Sequence, residues 1–414
     1  MRCHWSMPFV CAFALVAQEP DAKRPAPIRF TEFPVPDAAP LDLAATSARA
    51  VEVLLELQEG DDGDQWPYEG VYREDEGQLP IGYRVGGTSI ACLGLIAVPG
   101  FRADERRRAA VERGLAFVLK TLDAPRMQKD FVGTYDVRGW GHVYALEFLL
   151  HLQDHELVPA ASVAEVERRV GWLVEALVES AIPKSGGWNY SRLRGFKSPR
   201  NTASTFMTGP ALQALFHAEA RGHEVPVAVV TQALDALERA RAKPGGYAYG
   251  APRDSQAAVD EGDLTMMDKT PSSAARATVC ETTLMLAGRG DAVRLERAIE
   301  RFFAHWDDLA VRKSQPRTHI PPYGIAPYYF LFGHLYAAQA IEQLADPGKK
   351  DDYRARLAAV LAKSREADGG WNDRQFARSA GYGTALAMLT LHMPKLPKPA
   401  AWRRDAADAQ PAAK

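Results

Sequence analysis

The chain has 414 residues, 47% of them hydrophobic, which is enough apolar side chain for an extended packed core and too much for an intrinsically disordered protein. Its 50 Lys and Arg against 52 Asp and Glu leave a formal charge of −2, so there is neither a basic footprint for nucleic acid nor an acidic tail. The 32 glycines and 28 prolines are ordinary for a globular chain, and the length leaves two or three conventional domains or one large repeat architecture.

At the amino end, Arg2 precedes an apolar run from Met7 to Ala17 that is too short to cross a bilayer as a helix and reads as a secretory signal, residues 1–17. Ala12, Ala14 and Ala17 offer small residues for cleavage, and the expected destination is outside the cytoplasm, periplasmic or extracellular. No later stretch holds eighteen uninterrupted apolar residues, so no membrane span is expected. Residues 18–41 follow as an extended leader rich in Pro and Ala. Removal of the signal takes Cys3 and Cys11 with it. Cys92 and Cys280 stay, both inside apolar helical patterns, and are expected as buried thiols, a disulfide between them being the less favoured alternative.

From residue 42 to residue 393 two kinds of helix alternate. One kind carries apolar residues on a single stripe, as at Val111, Leu115, Val118, Leu119 and Leu122. The same offsets return at Val166 to Leu177, at Leu295 to Trp306 and at Tyr353 to Leu361, with charges on the opposite face. The other kind is apolar nearly all round, as in Val143–Leu150 and Tyr328–Phe332, and demands burial on every side. Turns holding an aromatic residue, most of them with glycine, separate the kinds: Asp64-Gln-Trp66, Gly133-Thr-Tyr135, Gly186-Gly-Trp188, Gly245-Gly-Tyr247, Pro322-Tyr323 and Gly369-Gly-Trp371. Six hairpins whose second helices are buried all round satisfy one another in a closed ring, so the fold class expected is all-α, an (α/α)6 barrel or toroid. Residues 394–414 read as a polar tail of Ala, Lys and Pro.

These repeats carry a family resemblance. Gly186–Arg192, Ser204–Leu215, Gly245–Tyr249, Gly369–Asp373 and Tyr382–Leu391 resemble the repeats of bacterial prenyltransferase and squalene-cyclase-like toroids, including the exported single-toroid type. The resemblance implies the toroid over about 350 residues and a ligand in its centre. The strong acid motif Asp-x-Asp-Asp that protonates an alkene in such cyclases is missing. The nearest acidic groups, Asp260–Asp263 and Asp61–Asp64, read as polar turns. The resemblance would place a prenyltransferase zinc at Cys280, yet Thr278 stands where its partner carboxylate is needed and Pro327 where the histidine is needed, so no metal and no cofactor is expected. Arg365 occupies the position six before Trp371 where the family's stacking glutamine belongs. No nucleophile elbow, phosphate loop or thioester signature occurs, and whether the protein is an enzyme stays open.

Six parallel inner helices would bring their amino ends to one mouth, where free N–H groups and helix dipoles favour negative charge. The candidate ligand-binding residues there are Arg138, His142, Asn201, Thr202, Arg276, Thr278, Cys280, Glu281, Tyr328, Tyr329 and Tyr382, with Phe148, Phe206, Phe330 and Phe332 lining an apolar bore beneath them. The expected partner is a lipid or isoprenoid with an anionic head, or a protein docked at the mouth, with no nucleic acid. A plainer reading has the Ser and Thr residues capping helices and the two arginines pairing with loop acids. The alternative function is an exported (α/α)6 carbohydrate hydrolase or lyase recruiting Asp130, Asp136, Glu281, Tyr328 and Arg276.

Overall fold

A helix with one apolar stripe needs a neighbour on one side and water on the other, and the chain alternates such helices with fully buried ones. The computed structural model describes residues 41–70, 78–131, 137–190, 202–242, 245–251, 265–374 and 376–404. In chain order the pairs are α1 (Leu43–Glu56) with α2 (Ile81–Ala97), α3 (Glu105–Thr121) with α4 (Arg138–Asp154), and α5 (Val163–Ser180) with α6 (Thr205–Ala220). They continue as α7 (Val227–Arg239) with α8 (Thr270–Leu286), then α9 (Ala292–Ala304), the one-turn α10 (Trp306–Ala310) and α11 (Tyr329–Gln343), then α12 (Pro347–Lys363) with α13 (Ser379–His392). Among the described residues there are no strands, only isolated bridges such as Ser204 with Gly250.

The second members form the inner wall. α2 packs on α4 and α13, α4 on α6, α6 on α8, α8 on α11 and α11 on α13, so the ring closes. Their amino ends meet at one place: the Tyr68 ring, just ahead of α2, lies 4.6 Å from Tyr382 of α13 and 6.0 Å from Trp140 of α4, while Phe206 of α6 lies 5.1 and 5.5 Å from Tyr328 and Tyr329 at the start of α11. The inner helices therefore share one direction. Close approach between them depends on missing side chains, and a Cβ on Gly86 of α2 would fall 2.4 Å from the Trp140 ring of α4.

The glycine-tryptophan turns fasten each outer helix to its inner partner. In three hairpins the indole Nε1 of Trp66, Trp188 or Trp371 donates to the carbonyl of Leu54, Leu177 or Leu361, at 2.7, 2.8 and 3.0 Å. Each acceptor is one of the last four carbonyls of its outer helix, which have no backbone N–H partner within that helix. The backbone N–H of the same tryptophans donates to Thr88, Thr208 or Thr384 of the inner helix, at 2.9, 3.1 and 3.0 Å. Gly187 sits at φ +74°, a conformation that suits glycine, and a Cβ there would meet Ala203 and Thr208. In the fourth hairpin Tyr247 takes the position and donates through its hydroxyl to Glu281 at 2.8 Å.

The fifth hairpin departs from the expected pattern. Tyr323 is only half-buried, and the indole that fastens this pair is Trp306 of α10, whose Nε1 donates to His334 Nε2 at 2.9 Å while His334 Nδ1 donates to the Phe330 carbonyl. The turn Gly133–Tyr135 lies outside the described residues. Arg365 stacks its guanidinium 5.6 Å over the Trp371 ring, a cation on an aromatic face where the resemblance implied glutamine. Cys92 and Cys280 are buried free thiols, each pushed well up by burial.

Candidate functional site: two ends of the bore

The amino-end mouth, where the sequence placed the ligand, is filled with rings. Tyr68, Tyr83, Trp140, Tyr190, Phe206, Tyr328 and Tyr382 surround a void of about 30 Å³, room for one water. Arg276 is fully buried, and its Nη atoms donate to the carbonyls of Ser272, Tyr247 and Met267 at 2.9, 3.0 and 2.8 Å. Its guanidinium lies over Tyr329 and Tyr249, so carbonyls and rings, rather than loop acids, hold this charge. Arg138, equally buried, donates to the carbonyls of Gln128, at 2.9 Å, and Phe131.

The other candidate residues scatter. Arg276, Tyr328 and Tyr329 come together, with Tyr382 on the facing wall. His142 turns outward instead: its Nε2 donates to the Met127 carbonyl, its ring meets Trp172 of α5, and burial pushes it down to about 4. Thr278 bonds the Ala275 carbonyl of its own helix, and Glu281 is tied to Arg241 at 3.0 Å as well as to Tyr247. Cys280 Sγ faces the Thr205 carbonyl at 3.9 Å. Thr202 is exposed, while Asn201, Asp136 and Asp260–Asp263 lie outside the described residues. Of the rings expected to line the bore, Phe206 does so, whereas Phe330 packs toward Trp306 and His334. Asp130 is exposed.

Two buried groups beside this mouth were not anticipated. Asp373, fully buried, has no hydrogen-bond partner for either carboxylate oxygen, and burial pushes it up to about 7 against the pull of Arg374 and Lys313. Arg374 donates through Nε to the Tyr68 hydroxyl at 2.8 Å and lies 5.4 Å over the Tyr328 ring, yet neither Nη atom has a partner. An acid near 7 is far too weak to protonate an alkene.

The opposite end of the bore is different. A cavity of about 550 Å³ opens among the carboxyl halves of the inner helices, within the range of roughly 300–1,000 Å³ typical of small-molecule sites. Its depth is set by Ile90, Val143, Pro210, Tyr336 and Leu386. Residues 396–400, part of the expected tail, run across its opening. They are pinned beyond it by Trp402, whose ring lies 5.5 Å from Phe216 and whose N–H donates to the Leu286 carbonyl at 2.9 Å.

Titratable groups converge on this cavity. His217 of α6 bonds Glu147 at 3.1 Å through Nδ1 and Asp154 at 2.7 Å through Nε2, and Asp154 also binds Arg221 at 2.5 Å. Burial alone would lower His217, but the two carboxylates overcome it and hold the imidazolium up to about 9. His151, one turn beyond Glu147 on α4, is pushed down to about 4, first by burial and then by the charges of His155 and His217. Gln213 and Gln339 add uncharged hydrogen-bonding groups; Gln213 Nε2 donates to Thr283 at 3.0 Å, and Gln339 Oε1 is buried without a partner. Sequence reasoning missed these residues, although a signal was present: Glu147, Gln213 and Gln339 are polar interruptions in helices that must otherwise be apolar on every side.

No protein-family model and no curated protein sequence matches the chain. Solved structures do. An inactive variant of the alpha-1,6-mannanase GH76A of Salegentibacter sp. HEL1_6, in complex with alpha-1,6-mannotriose, is 13% identical over 85% of this chain and 99% of that one, with a TM-score of 0.53. The type II terpene cyclase MstE from Scytonema is 14% identical over 86% of this chain and 98% of that one, TM-score 0.51. The Lin0763 protein of Listeria innocua is 12% identical over 86% and 98%, TM-score 0.53. At these identities the likeness is one of fold: the chain is an α/α toroid similar to that of a mannanase and of a terpene cyclase.

Proposed function

We propose that the protein is a small-molecule-binding toroid whose ligand occupies the carboxyl-end cavity rather than the amino-end mouth. The observation that carries this reading is the 550 Å³ cavity, which combines an apolar floor with convergent Glu147, His151, His217, Gln213 and Gln339, against about 30 Å³ at the other end. The similar mannanase structure is a complex with alpha-1,6-mannotriose, which supports a guest in an architecture of this kind. The signal-like residues 1–17 support export, and among the described residues no helix is long and apolar enough to cross a membrane.

Native mass spectrometry of the protein purified without detergent tests the reading. A bound small molecule is expected, and Leu389→Trp, which places an indole in the cavity, should abolish it. Retention of the same adduct by the filled variant would refute the assignment.

A further inference from the structure

The cavity has two unlike walls. Around the ring, α4, α6 and α11 present Glu147 and His151, Gln213 and His217, and Gln339 above the floor, so this arc is polar toward the opening. The facing arc, α13 and α2, presents Leu386, Leu389, Ile90 and Leu93, and the covering segment adds Leu396 and Pro397. Beneath this level Val143, Pro210 and Tyr336 make the floor apolar all round, but at the level of Glu147, Gln213 and Gln339 polarity changes across the bore. A guest that spans the bore at this level meets hydrogen-bonding groups on one side and only hydrocarbon on the other.

The charges on the polar arc are already matched. Glu147 and Asp154 hold the His217 imidazolium between them, and Arg221 completes Asp154. The charged group added by the covering segment, Lys398, is exposed to solvent. What the arc leaves for a guest is neutral hydrogen bonding. Gln339 Oε1 accepts and has no donor in the structure, and Gln213 is fixed in orientation by its bond to Thr283. A buried acceptor without a donor costs free energy that a guest hydroxyl would recover. The carboxyl ends of the inner helices likewise present carbonyls and negative dipole ends, which favour a guest that donates.

Resting on the cavity assignment above, we infer that the guest is an uncharged, facially amphipathic molecule: one hydrocarbon face against α13, α2 and the covering segment, and one edge of hydroxyl or amide groups against Gln339 and Gln213. This replaces the anionic head group expected from the sequence.

Titration calorimetry on the full chain separates the possibilities, using an androstane triol with its hydroxyls on one face, dodecanol and dodecanoate as probes. The triol is expected to bind about tenfold or more tighter than either linear probe, the worth of one or two extra hydrogen bonds. Gln339→Leu should weaken the triol about tenfold while leaving dodecanol unchanged. Equal affinity for triol and dodecanol, tightest binding of dodecanoate, or equal loss of both probes in Gln339→Leu would overturn the facial reading and leave the cavity assignment standing. If none of the probes binds the unaltered chain and Leu389→Trp leaves its native mass spectrum unchanged, both readings fall together. The probe comparison needs no variant, so a Gln339→Leu protein that fails to fold does not protect the inference.

Discussion

Asp373→Asn tests the electrostatics of the amino-end mouth with a number. A carboxyl displaced from its ordinary 3.8 to about 7 differs by about three units between the unfolded and folded chain, and at about 1.36 kcal/mol per unit this is about 4 kcal/mol. The sign follows from proton counting. Between pH 4 and 7 the folded state holds a proton that the unfolded state has lost, so stability falls as pH rises across that window, and the full penalty is present above it. Asparagine keeps the shape and removes the titration. In urea denaturation the variant should exceed the unaltered chain by about 4 kcal/mol at pH 8 and by less than about 2 kcal/mol at pH 5, since every other titrating group cancels in the difference. A variant less stable at pH 8 would mean that Asp373 is ionised and served by Arg374; a margin independent of pH would mean that Asp373 keeps an ordinary pKa.

Trp188→Ala should cost roughly 3–5 kcal/mol by chemical denaturation, because it empties a fully buried indole site and removes the indole bond to the Leu177 carbonyl, and unaltered unfolding would dismiss the fastening role of the turn. His217 should titrate near 9 in a nuclear magnetic resonance experiment; its contribution, roughly 3 kcal/mol, is fully present below about 6.5 and lost as pH rises through 9, so His217→Gln should flatten that part of the stability profile. A midpoint at or below 6.5 would show that Glu147 and Asp154 do not clamp it.

The repeat was legible because its signal is local. Val166, Val170, Leu173, Val174 and Leu177 recur at helical offsets and are all buried in α5, and glycine ahead of Trp188 and Trp371 marked turns whose geometry only the fold could complete. The rest depended on distance in three dimensions. Trp306 fastens the fifth hairpin from a one-turn helix, a placement that no spacing rule anticipates, and the pull on Tyr323 as the turn aromatic came from analogy with the other five hairpins. Asp373 follows a recognised Gly-Gly-Trp turn, but its burial and its want of a partner are properties of neighbours that arrive from Tyr68 and Arg374. The covering segment was hidden by composition, since Pro, Lys and Ala dominate residues 394–401 and only Trp402 hinted at docking.

Loop length explains why the cavity lies opposite to where helix dipoles alone would put a site. Connections at the carboxyl ends of the inner helices are short, from residues 344–346 to residues 155–162, and cannot reach the axis. Those at the amino ends run from residues 364–378 up to residues 240–269, long enough to carry aromatic side chains inward, and Tyr68, Tyr190, Tyr249 and His319 all arrive this way. On α6, donors at that end are spent on the arriving chain: Thr205 N donates to the Tyr249 carbonyl and Ser204 N to the Trp188 carbonyl, so this helix end faces protein in place of a guest. At the carboxyl end one segment, residues 396–400, covers what five short loops leave open, and the bore beneath it keeps its volume. A toroid with the loop lengths reversed would fill the other end by the same reasoning, so in this fold the length of the inter-helix connections, more than the sign of the helix dipoles, decides which mouth can hold a ligand.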